Sequence, residues 1–77
     1  MFRVLVKTEE VAVDNQRVPV RYFELRTVRG LRRYSAEILL SPEDRIIIDG
    51  DSVTNLQART ARLVPATIYS RLLARIS

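Results

Sequence analysis

The chain has 77 residues, 47% of them apolar, a length and composition that fit one globular domain (1–77) and argue against disorder. It contains no Cys and no His, which excludes disulfides, Cys/His metal centres, thiol chemistry and an imidazole base. The net charge is +4, and twelve of the thirteen basic side chains are arginine, the side chain best shaped for bidentate contacts with carboxylate or phosphate.

Residues 2–49 are rich in Val, Ile, Tyr and Phe and read as strands. Three turns divide them. Asp14-Asn15-Gln16-Arg17 is the first, and it sets Val13 opposite Val18, Val11 opposite Val20, Glu10 opposite Arg21 and Lys7 opposite Glu24. Val28-Arg29-Gly30 is the second, a three-residue hairpin loop with Gly30 in the left-handed conformation. Closing it at Thr27 opposite Leu31 sets Tyr22 against Ala36, Val20 against Ile38, Val18 against Leu40 and Arg21 against Glu37. Ser41-Pro42-Glu43-Asp44 is the third, and leads to a strand over about 45–49 with Ile47 opposite Ile38.

Residues 52–76 change to a helical period. Asp51 or Ser52 can cap the first turn. Val53, Leu56, Thr60, Leu63 and Val64 fall on one arc, with Arg59 and Arg62 opposite. Pro65 ends or kinks this helix and suits the start of a second, whose stripe is Ile68, Tyr69, Leu72, Leu73 and Ile76, with Arg71 and Arg75 away from it. The expected fold is therefore α+β: an antiparallel meander of three to four strands, then two C-terminal helices packed on one sheet face.

That face is expected to present Val11, Val13, Val18, Val20, Tyr22, Tyr34, Ala36, Ile38 and Leu40 to the helices. The opposite face is expected to present Phe2, Val4, Val6, Phe23, Leu25, Leu31 and Leu39, with Ile46 and Ile48 joining them. Two short helices cannot cover both. Contiguous apolar surface usually marks an interface, so these residues form the candidate protein-binding surface, for a second copy or a larger protein.

Arg26, Arg29, Arg32 and Arg33, with Tyr34 beside them, form the alternative site: a basic hairpin that grips nucleic-acid phosphates while a tyrosine stacks on bases. Arg26 faces Arg32 in this register, and Glu24 is placed to act as their internal counter-ion. No nucleic-acid recognition motif accompanies them.

No catalytic residue, metal site or cofactor is expected. The Asp49-Gly50-Asp51-Ser52 turn, with Asn55 after it, lacks the terminal glutamate of a calcium loop. The serines have no histidine to activate them. Glu9 and Glu10 are adjacent on a strand and point to opposite faces. A chain this short also leaves little volume for a pocket. The basic amphipathic end of the chain could suit a membrane surface, but its stripe is needed over the sheet. Residues 1–7 lack a long apolar stretch, and no apolar run approaches the ~18 residues of a membrane span, so no membrane partner and a cytoplasmic location are expected.

Overall fold

The computed structural model describes the backbone of residues 2–76 and the side chains of residues 2–74. Four strands, β1 (Phe2–Val13), β2 (Gln16–Arg26), β3 (Arg32–Ser41) and β4 (Asp44–Gly50), form an antiparallel meander in chain order, followed by one helix, α1 (Val53–Ile76).

The expectation of two helices is overturned: α1 runs through Pro65 without a break. Proline lacks the N–H that would bond the Ala61 carbonyl, and its ring crowds that carbonyl. Both residues lie on the exposed side of α1, where water can satisfy the oxygen. Val64 and Ile68 on the inner side are packed in the core and hold the axis on both sides of the proline. Ser52 is the cap; its Oγ accepts from the Asn55 amide at 3.0 Å.

The second hairpin matches the expected register. Thr27 N donates to the Leu31 carbonyl at 3.3 Å, Gly30 has φ 77°, and Tyr22 faces Ala36, Val20 faces Ile38 and Arg21 faces Glu37. The first hairpin differs. Asp14 itself takes the left-handed conformation (φ 54°), so the loop has two residues and Val13 faces Gln16. Every expected pair on β1 shifts by two: Val11 faces Val18, Glu10 faces Pro19, and Lys7 faces Tyr22 rather than Glu24. An even shift keeps each side chain on its face. All nine residues expected toward the helix accordingly lie in or against the core.

Two β-bulges do move side chains between faces. Leu5 faces Phe23 but Lys7 faces Tyr22, so Val6 is an extra residue in β1. Phe2 and Val4 therefore sit opposite Arg26 and Glu24, on the helix side of the sheet, whereas Arg3 and Leu5 join Phe23 and Leu25 on the other side. A second bulge at Leu40 puts Ile46, not Ile47, opposite Ile38. Ile46 and Ile48 consequently pack against the core, and Ile47 turns outward. The expectation that Phe2, Val4, Ile46 and Ile48 belong to the second face is corrected on these grounds.

The core is Val18, Val20, Tyr22, Ala36 and Ile38 from the sheet with Leu56 and Val64 from α1. Helix and sheet are offset along their length. Arg59 bonds the Asp49 carbonyl at one end of β4, and Arg71 pairs with Asp44 at the other, so α1 runs back antiparallel to β4. Seven strand residues span ~24 Å and 24 helical residues ~36 Å. About eight residues of α1 therefore outrun β4, which explains why Ile68 packs and Tyr69, Leu72 and Leu73 are exposed. The expectation that the whole second stripe covers the sheet is corrected here; the side chains of Arg75 and Ile76 lie outside the described residues. The radius of gyration is 13.7 Å, against about 11.5 Å for a compact chain of this length, as this offset requires.

Candidate functional site

Six large apolar side chains are exposed at the end of the sheet that α1 leaves bare, Val28 at the tip of the β2–β3 loop among them. Phe2, Val4, Leu5 and Val6 on β1 keep 45–59% of their surface, and Leu31 at the base of the β2–β3 loop is exposed with them. Phe2 and Val4, on the helix side, are bare for a simple reason. Gly50, Tyr34, Glu24 and Val4 stand in one row across the sheet, and α1 begins just after Gly50. Beyond that row the helix has no residues to lay over the strands.

Of the seven residues expected to form an interface, Phe2, Val4 and Val6 on β1 and Leu31 before β3 are exposed, Leu25 and Leu39 are half-buried, and Phe23 is 8% exposed. Leu5 belongs with the exposed set and was missed, because the bulge at Val6 has no glycine to announce it. Phe23 is shielded from an unforeseen direction. The Arg3 guanidinium lies 4.1 Å from its ring centroid, a cation–π contact that also covers the ring.

The same device covers the centre of the second face. Glu37 is only 3% exposed although none of the core elements lies over it. Arg21 and Arg45 flank it, at 3.7 and 3.4 Å from its two carboxylate oxygens. Long arginine stems cover apolar surface while their charged ends reach a partner or water. The centre of the face expected to be oily is instead a charged ladder, and the bare apolar side chains gather at the first half of β1 and the last turns of α1.

The basic hairpin is largely matched from within. Arg26 Nε is 2.9 Å and Arg32 Nε 3.9 Å from the same Glu24 carboxylate oxygen, so Glu24 is the counter-ion between the facing arginines. Arg33 pairs with Asp51. Among the described residues Arg29 alone of the four has no ion-pair partner. Tyr34 is half-buried against the core, which leaves it a poor stacking platform.

A polar network beneath the helix was not anticipated. The Tyr22 hydroxyl donates to Glu9 and lies 3.0 Å from Thr60 Oγ1; Thr60 also contacts the Gln57 carbonyl at 3.0 Å, and Gln57 Nε2 donates to the other Glu9 oxygen at 3.2 Å. Burial, reinforced by the bond to the Glu9 carboxylate, raises the Tyr22 pKa from 10.0 to about 12. The phenol is held neutral, which suits a structural clasp between sheet and helix rather than a proton shuttle.

A cleft of about 430 Å³ opens between the β1–β2 turn, the β3–β4 turn and α1, more space than the chain length suggested. Val13, Leu40, Ile68 and Leu72 form its apolar wall, and the Asp44–Arg71 ion pair stands on its rim. The Asp49–Ser52 turn is occupied by structural duties: Asp51 pairs with Arg33, Ser52 caps α1, and the Asp49 carbonyl accepts from Arg59 at 2.6 Å. Among the described residues no group of three or more carboxylates is placed to hold a metal ion, and no helix is long and apolar enough to cross a membrane. Comparison with protein-family models, with curated proteins and with solved structures finds no match to this chain, so a functional reading rests on the geometry above.

Proposed function

We propose that the chain is a non-catalytic protein-interaction module that associates with a second copy of itself through the bare end of its sheet. The observation that carries this reading is the run Phe2, Val4, Leu5 and Val6, exposed on both faces of the first half of the edge strand β1. Apolar side chains gathered in this way favour removal from water, at about 25 cal/mol per Å² buried. An edge strand adds a row of backbone donors and acceptors with no partner in the sheet.

Nucleic-acid binding through the hairpin has weaker support, because three of its four arginines are already paired, Arg26 and Arg32 with Glu24 and Arg33 with Asp51. One experiment separates the readings. Sedimentation of the wild type should show a mass that rises with concentration, and Val4→Asp with Leu5→Asp should return it to 8.9 kDa. Material absorbing at 260 nm that leaves at high salt, with no change of mass, would favour the hairpin instead.

A further inference from the structure

We infer that the second copy docks by pairing β1 with β1 across a two-fold axis, in antiparallel register, with the axis between Val6 and Lys7. This rests on the self-association reading and specifies its geometry.

The choice of edge comes first. The sheet has two, β1 and β4. β4 is bracketed by helix arginines, Arg59 on the Asp49 carbonyl and Arg71 on the Asp44 carboxylate, and a two-fold there would bring two such helices together. Charged side chains over an edge are a common guard against strand addition. β1 is longer, 12 residues against seven, and carries the exposed apolar cluster.

The register follows from charge and from the bulge. β1 is basic in its first half, at Arg3 and Lys7, and acidic in its second, at Glu9 and Glu10. An antiparallel copy of such a strand is complementary to it. Side chains directly opposite one another must also share a face. Because Val6 is an extra residue, Phe2 and Val4 share the helix-side face with Glu9 and Val11, and Arg3 and Leu5 share the other face with Thr8 and Glu10. An axis between Val6 and Lys7 then matches faces in the four flanking pairs: Phe2 meets Val11, Arg3 meets Glu10, Val4 meets Glu9 and Leu5 meets Thr8. Shifting the register by one residue puts matched side chains on opposite faces. Shifting the register by two, with the axis between Leu5 and Val6, restores the flanking faces but sets Arg3 against Thr8 and leaves Glu10 unmatched.

Glu10 has no ion pair within the subunit among the described residues, and Arg3 lies over Phe23 on the same face. Each is therefore available to the other across the axis. The pairing also covers Phe2, Val4 and Leu5 and yields one continuous eight-stranded sheet with both helices on the same side.

The test is a charge swap on the full chain, read by sedimentation velocity at low salt. Arg3→Glu alone and Glu10→Arg alone each place two like-charged pairs in the interface and should raise the dimer dissociation constant about tenfold or more. Mixing the two single variants in equal amounts creates a heterodimer in which both pairs are opposite in sign, and its mass should return to that of the wild type. Arg3→Glu with Glu10→Arg in one chain should do the same. Single variants that dimerise as well as the wild type, or a mixture that fails to recover, would overturn the β1 pairing while leaving self-association standing. A wild type that stays at 8.9 kDa at every concentration would overturn both.

Discussion

The Tyr22 hydroxyl reaches Thr60 Oγ1 at 3.0 Å and joins the middle of the sheet to the middle of α1 by a buried polar bond. Two hydroxyl protons serve three contacts here, to Glu9, to Tyr22 itself and to the Gln57 carbonyl, so the Thr60 proton is shared. No buried side-chain polar atom among the described residues lacks a partner. Tyr22→Phe removes a donor from Glu9 and an acceptor from Thr60 while preserving the ring. It should lower unfolding free energy by about 1–3 kcal/mol, measured by urea denaturation.

The same phenol predicts alkaline behaviour. Its folded pKa, about 12, lies above the unfolded value near 10.0. The stabilisation from neutral Tyr22 is therefore complete below pH 10 and is lost as the pH rises through 12. The full loss amounts to about 2–3 kcal/mol. Stability measured between pH 9 and 12 should fall more steeply in the wild type than in Tyr22→Phe.

Gly50 should not tolerate a side chain. A Cβ built there would stand 2.9 Å from Asn55 Oδ1 and 2.9 Å from Leu56 Cδ2, and Leu56 is a fully buried core residue. The glycine is needed for close approach of strand end and helix start. Gly50→Ala should destabilise by about 1–3 kcal/mol in thermal or urea unfolding.

Pro65→Ala should act in the opposite direction. It restores an N–H for the Ala61 carbonyl on the exposed side of a helix that is already continuous. A gain approaching the ~3 kcal/mol that separates proline from alanine inside a helix is expected in urea denaturation.

These residues also show what was legible in the sequence. Gly30 declared the second hairpin, and with it the pairing of β2 and β3. Ser52 and the Leu56–Thr60–Val64 spacing declared the packed half of α1. The nine-residue core face survived a wrong first turn because that error was an even number of residues. The bulges at Val6 and Leu40 were hidden, since neither is marked by glycine and each is set by tertiary pairing. Pro65 misled for a related reason: local propensity was outweighed by packing of Val64 and Ile68. The clasp had a signal that went unused. Glu9 shares the strand parity of Val11 and Val13, and Thr60 falls on the apolar arc, so two polar groups face one core and require each other.

The bare end of β1 as a meeting place for two copies is tested most directly by hydrogen exchange as a function of protein concentration. Amides of residues 2–11 should gain protection as concentration rises, while those of β4 should not change. Exchange in β1 that is independent of concentration would contradict the account.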